Sequence, residues 1–258
     1  MSTYLGQNFL IDSKIKHYIF QQIETIYNEK NCSTLIEIGP GKGAITKKIH
    51  AISDNFIVIE KDDVLIPNLQ EQKETQTRNI KHIIHDDVLQ VSEDQLKNLN
   101  CKPEATLVIG NLPYYITSPI LRKFFGSGQQ HYQAGFFMMQ HEVGEKIKAD
   151  TKKKSYLWRL LNYAYTVEYC KIVPAKTFKP APKVKSCLIK LTPKAEIPAL
   201  NFEKLISFLD DYAPFSRKTL GAIQKLHEKK GKSVITIPEK LKKLRLEELD
   251  WEMISKIL

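Results

Sequence analysis

Four cysteines and two tryptophans in 258 residues, and no apolar run near the ~18 residues of a membrane span, set the first limits on this chain. Cys32, Cys101, Cys170 and Cys187 form no C-x-x-C pair, and no histidines cluster beside them at zinc-ligand spacing, so no metal site is expected. A chain of this length can bury a core without disulfide staples. Reduced thiols and a cytoplasmic location are therefore the expectation. Met1–Gly6 has neither the basic segment nor the apolar segment of a secretory signal. Internal repeats and low-complexity tracts are also missing.

What is abundant is lysine. The chain is 42% hydrophobic and 26% charged, ordinary for a globular protein, but its net charge is +10 and its pI about 9.2. Residues 1–150 hold 16 Lys and Arg against 18 Asp and Glu, whereas residues 151–258 hold 23 against 11. A near-neutral front and a basic back suit a chemistry module joined to one that grips a polyanion.

Short apolar runs alternate with helical patterns through the front of the chain. Strands are expected at Thr34–Ile38, Asn55–Glu60, Lys81–His85, Thr106–Gly110 and Gly135–Gln140, with helical spacing over Ala44–Ala51 and Ser118–Phe125. This alternation predicts an α/β fold, a parallel sheet with helices on both faces. Tyr169–Val173 and Ser186–Leu191, separated by Pro174, Pro180 and Pro182, suit an antiparallel hairpin at the sheet edge. After Pro193 the pattern turns helical: Phe202, Leu205, Ile206 and Leu209, then Leu220, Ile223 and Leu226, then Leu241, Leu244 and Leu246. Two domains are expected, residues 1–193 and a small all-helical 194–258.

Glu37-Ile38-Gly39-Pro40-Gly41-Lys42-Gly43 lies between a strand and a helix. Glycines at alternate positions let the backbone turn sharply and approach a ligand, but G-x-G-x-G is not the dinucleotide fingerprint G-x-G-x-x-G. Glu60 ends the next strand, where a carboxylate can bind both ribose hydroxyls of a nucleoside; the pair favours an adenosyl cofactor. Asp87, at the end of the third strand, is either an acceptor for the cofactor's adenine amine, with Val88 against the ring, or a helix N-cap. Asn111-Leu112-Pro113-Tyr114 resembles the [N/D]-P-P-[Y/F] pattern of methyltransferases that act on planar exocyclic amines. The Asn111 oxygen and the Leu112 carbonyl can accept the amine's two N–H bonds and turn its lone pair toward the methyl group. Pro113 stiffens the loop and Tyr114 offers a stacking face. Phe178, on a proline-stiffened loop among lysines, is either a core residue or a second apolar face for a base drawn out of its stack.

Together Gly6-Gln7-Asn8-Phe9-Leu10, Glu37–Gly41, Gly110–Tyr114, Phe178–Val184 and Arg217-Lys218-Thr219-Leu220 resemble, in order, the KsgA/RsmA family of small-subunit rRNA adenine dimethyltransferases. The resemblance runs from about residue 4 to the C-terminus. It implies a Rossmann-like class I methyltransferase sheet and S-adenosyl-L-methionine as donor. The implied substrate is two adjacent adenines in the terminal hairpin loop of 16S rRNA, in the immature small ribosomal subunit. It assigns the donor to Asn8, Leu10, Gly39, Gly41, Glu60, Asp87 and Asn111, and the target adenine to a sandwich of Tyr114 and Phe178. RNA contacts fall to the helical domain, including Arg217 and Lys218, and the protein is expected to act as a monomer. The first motif starts at Gly6, so no transit peptide is expected ahead of it. Tyr115, Ala181 and Ser216 depart from the family's usual Asn, Pro and Arg; none of them removes a group needed for transfer.

The related erythromycin-resistance (Erm) methyltransferases act on a large-subunit adenine, usually carry Ile where Leu112 stands, and lack an equivalent of Arg217–Leu220. A non-catalytic RNA-binding assembly factor is the alternative of another class; it predicts erosion at Asn111 or Glu60, and both are intact. A nicotinamide oxidoreductase would leave Asn111–Tyr114 without a role. The expected chemistry is direct in-line transfer without a covalent intermediate, in which the protein mainly aligns the reacting atoms.

Overall fold

A computed structural model describes residues 8–49, 51–75, 80–231 and 235–258. Gly6 and Gln7 of the first motif, and His50 in the expected 44–51 helix, lie outside the described residues.

The chain opens with β1 (Phe9–Leu10) and α1 (Ser13–Glu29). Asp12 caps α1 by accepting from the Ile15 N–H at 2.9 Å, and Ile15, Ile19, Ile23 and Ile26 form its buried stripe. β2 (Thr34–Ile38), α2 (Thr46–Ile49), β3 (Asn55–Glu60), α3 (Ile66–Thr75), β4 (His82–His85), α4 (Glu93–Lys97), β5 (Thr106–Asn111), α5 (Thr117–Phe125) and β6 (Ala134–Gln140) then alternate. Next come α6 (His141–Ile147), α7 (Tyr156–Ala164), β7 (Tyr165–Val173), β8 (Phe178–Lys179) and β9 (Ser186–Pro193). α8 (Phe202–Tyr212), α9 (Leu220–Lys229) and α10 (Trp251–Ser255) close the chain. The helix expected over 44–51 is thus a short one.

One seven-stranded sheet has the order β4-β3-β2-β5-β6-β9-β7. β2 to β6 are parallel, and β9 runs antiparallel between β6 and β7. Its residues alternate strictly between two apolar layers. Leu35, Phe56, Val58, Leu107, Ile109, Phe136 and Met138 face α1, while Ile36, Ile57, Ile59, Val108, Phe137 and Met139 face the opposite layer with α5 and α7. The hairpin expected between Tyr169 and Leu191 is present, but β7 starts at Tyr165, directly after α7, and slips register between Tyr169 and Lys171. A second, two-stranded sheet pairs β1 with β8, Leu10 opposite Phe178.

The C-terminal helices bury Leu205, Phe208, Leu209, Leu220, Ile223 and Leu246 in the same layer as Phe124, Leu160 and Leu161. Arg159 of α7 is fully buried there, and its Nη2 donates to the carbonyls of Leu246 at 2.6 Å and Leu249 at 2.9 Å.

Candidate active site

Consecutive strands step outward from β2 in opposite directions, β3 on one side and β5 on the other. In an open α/β sheet this reversal opens a crevice beyond the strands' carboxyl ends. A cavity of about 270 Å³ lies there, lined by the residues that follow β2, β3, β4 and β5, together with Asn8, Phe9, Leu10 and Phe178. Asn8, Leu10, Gly39, Gly41, Glu60, Asp87, Asn111, Leu112, Pro113, Tyr114 and Phe178, eleven residues anticipated from the sequence, thus share one cavity.

The glycine loop turns as its composition requires. Gly39, Gly41 and Gly43 have φ of 62°, 59° and 73°, a region costly for residues with a Cβ. At Gly110 the constraint is space: a Cβ would stand 2.7 Å from the Ile38 carbonyl oxygen, so β5 closes on β2 only because this residue is glycine. The buried Glu60 carboxylate braces the loop. It accepts from the N–H of Gly41 at 3.1 Å, of Lys61 at 2.9 Å and of Asp62 at 3.0 Å. A carboxylate has about four acceptor positions. Three backbone donors leave room for one further partner, from the cavity.

Asp87 is not a helix N-cap, a position that Ser92 takes ahead of α4. Its Oδ1 accepts from the Leu89 N–H at 2.9 Å, closing a turn, and the same residue lines the cavity with Val88. Its Oδ2 receives the Lys61 ammonium at 2.9 Å, and this bond, with the one from Leu89, holds the carboxyl below its ordinary range.

Asn111 ends β5, and its amide nitrogen donates to the Asn8 carbonyl at 3.4 Å. The Leu112 N–H donates to Met138 at 2.9 Å, and the Pro113 carbonyl takes the Thr117 hydroxyl at 3.0 Å. Tyr114 is pinned through its hydroxyl to that of Ser186 on β9, 2.8 Å away. Phe178, 3% exposed, reaches the cavity because β8 pairs with β1.

The motifs assign no role to three contributors, Glu37, Lys61 and Lys123. Glu37, 3% exposed, accepts from the Thr46 hydroxyl at 2.7 Å; burial, with Glu60 adding, pushes its pKa up to about 8. A carboxylate amid Thr34-Leu35-Ile36 and Ile38 was the available signal. Lys61 and Lys123 act on the Asp87 segment through contacts distant in sequence, and no local pattern marks them. Arg217 and Lys218 stand apart from the cavity, exposed in the turn before α9, and make no ion pair among the described residues. No group of three His, Cys, Asp or Glu placed to hold a metal ion occurs among the described residues.

Residues 1–256 match the family described as Ribosomal RNA adenine dimethylase. The Ribosomal RNA small subunit methyltransferase A of Hydrogenobaculum sp. (strain Y04AAS1) is 32% identical over 253 residues, covering 98% of this chain and 90% of that relative. Among solved structures, a dimethyladenosine transferase from Plasmodium falciparum superposes with a TM-score of 0.73 at 21% identity, covering 97% of this chain and 96% of that one. The 23S rRNA methyltransferase ErmE does so with a TM-score of 0.63 at 21% identity, covering 97% and 99%. The two structures share the class I methyltransferase fold, and the family match extends over nearly the whole sequence. The chain belongs to the ribosomal RNA adenine dimethylase family.

Proposed function

We propose that this protein is an S-adenosylmethionine-dependent rRNA adenine N6-dimethyltransferase. Its substrate is two adjacent adenines in the 3'-terminal hairpin loop of 16S rRNA, presented by the immature small subunit. Family membership supports the reaction, and the relative's name, small subunit methyltransferase A, supports the target. One structural observation carries the reading: the glycine loop, Glu60, Asp87, Asn111–Tyr114 and Phe178 line a single cavity at the sheet's topological switch. Leu112 and the Arg217–Leu220 segment favour the small-subunit target over the Erm-type one.

The cavity's polar groups suit the donor. Glu60 keeps one acceptor position for a ribose hydroxyl, Asp87 presents a carboxylate to an adenine amine, and Val88 backs the ring. Gly39 and Gly41 let the backbone come close, and Asn8 and Leu10 form the facing wall. When bound, S-adenosylmethionine supplies a methyl group already activated by its sulfonium. The protein's task is then alignment. With the Asn111 nitrogen held by Asn8, its Oδ1 is the atom left to accept from the target amine, and the Leu112 carbonyl is the second acceptor. Two such acceptors favour a pyramidal nitrogen whose lone pair points at the methyl carbon. Tyr114 and Phe178 hold the base between them. Among the described residues the cavity lining contains no His or Cys, and the amine's proton leaves to water once methylation has made the nitrogen cationic.

In this reading residues 1–193 do the chemistry and 194–258 contact RNA, the protein works as a monomer, and it resides in the cytoplasm. The deciding assay offers undermethylated small and large ribosomal subunits to the enzyme with labelled donor and maps the modified bases. Label confined to adjacent small-subunit adenines supports the assignment; label in the large subunit overturns it in favour of the Erm-type target.

A further inference from the structure

Lys123, in the last turn of α5, points its ammonium at the segment that follows β4. It donates to the carbonyls of Val88 at 2.9 Å, Leu89 at 2.9 Å and Val91 at 2.5 Å. An ammonium has three N–H groups, and all three are engaged on carbonyls within four residues of chain. Those carbonyls converge because the segment turns tightly: Gln90 and Val91 both donate their N–H to the Asp87 carbonyl, at 2.8 and 3.2 Å. Several carbonyl dipoles facing one way form a negative pole, as at a helix C-terminus, and a cation there is stabilising.

The held segment is one wall of the cavity. Val88 and Asp87 line it, and the Asp87 carboxylate is oriented by the N–H of Leu89, whose carbonyl Lys123 holds. Lys123 also lowers the Asp87 carboxyl through space, whereas Lys61 contacts that carboxylate directly. At its other end α5 begins at Thr117, just after the Asn111–Ile116 loop. The helix therefore connects the loop that would aim the target amine to the wall that would receive the donor's adenine.

We propose that Lys123 is a positioning residue for donor recognition: by clasping the Val88–Val91 carbonyls it fixes where Asp87 presents its carboxylate to the adenine amine. This rests on the donor assignment made above. The pattern is a division of labour between two lysines, one on the carboxylate and one on the backbone that carries it.

The test uses the full-length protein and two ligands, S-adenosylhomocysteine and its inosine counterpart, in which the amine Asp87 would bind is replaced by an oxygen. Calorimetry on wild type, K123M and K123R gives the ratio of the two affinities. A merely structural lysine would weaken both ligands alike and leave the ratio alone. Positioning predicts a wild-type preference for the adenine compound, a roughly tenfold fall in that preference in K123M, the size of one hydrogen bond to a charged group, and substantial recovery in K123R. Circular dichroism checks that the variants fold. Should K123M not fold, K123Q, which keeps amide donors, replaces it with an intermediate ratio expected. An unchanged ratio in a folded variant overturns the proposal, whatever happens to absolute affinity. A wild-type protein with no preference between the ligands instead overturns the role given to Asp87, and the proposal with it.

Discussion

Asn111 and Asn8 meet across 103 residues of sequence, the side-chain nitrogen of the first donating to the main-chain carbonyl of the second at 3.4 Å. The bond decides which end of the Asn111 amide is free. Asn111→Ala removes that acceptor, and the methyl-transfer rate should fall roughly 10²–10³-fold, as for loss of one transition-state hydrogen-bond partner. Single-turnover kinetics at saturating donor measures this, and RNA affinity should barely change. Near-normal turnover would refute the role given to Asn111.

Glu60 does two jobs, bracing the glycine loop and facing the cavity, so two variants separate them. Glu60→Ala should weaken S-adenosylmethionine binding by about 1.5–3 kcal/mol, the scale of lost hydrogen bonds to a charged group. Glu60→Gln should not rescue it, because its amide nitrogen would confront either Gly41 or the Lys61 and Asp62 N–H groups, all donors. Titration calorimetry giving wild-type affinity for the Gln variant would show the brace to be dispensable.

Glu37 carries a pH signature. Its carboxyl titrates near 4.5 when unfolded and at about 8 in the fold, so between these values the native state holds a proton that the unfolded state has lost. Its contribution to stability is present below pH 4.5 and is lost as pH rises toward 8, at up to ~1.4 kcal/mol per pH unit. Urea denaturation at pH 5, 6, 7 and 8 should show this slope, and Glu37→Gln should flatten it. Parallel curves for the two proteins would contradict the buried, protonated carboxyl.

Arg217 and Lys218 test where phosphate is gripped. Each lost phosphate contact reduces the slope of log affinity against log salt by about 0.7–0.9, so replacing both with Ala should flatten it by one to two units. Donor affinity should stay unchanged, since neither residue lines the cavity. An unaltered salt slope for subunit binding would assign the pair a structural role and direct attention to Lys152–Lys154.

The strands on which the cavity stands were legible in sequence because they are buried on both faces. Thr34–Ile38 and Asn55–Glu60 read as short apolar stretches, the first interrupted only by Glu37, that lead into or end in a motif, and the structure has them at those bounds. The start of β7 was not legible: α7 passes into it between Ala164 and Tyr165 with no glycine or proline to mark the change. The spacing of Ile15, Ile19, Ile23 and Ile26 does announce α1, although no motif lies on it. The pairing of β1 with β8 involves two residues from each strand, far apart in the chain, and no local periodicity encodes so short a ladder. Lys61 and Lys123 were hidden for a related reason. An exposed lysine has the same local pattern whether its ammonium meets water or a carbonyl, and only the folded chain distinguishes the two.

That short ladder has a consequence for how the two reactants sense each other. A ribbon of two residues per strand is too small to hold its shape alone. Leu10, assigned to the donor, and Phe178, assigned to the base, are partners across it, so a displacement of one strand would be felt by the other. Thermodynamic reciprocity then requires that if the donor tightens the enzyme's hold on the nucleotide, the nucleotide tightens its hold on the donor by the same factor. The order in which the two arrive would leave no trace in the affinity of the final ternary complex. It would be written in the rates alone.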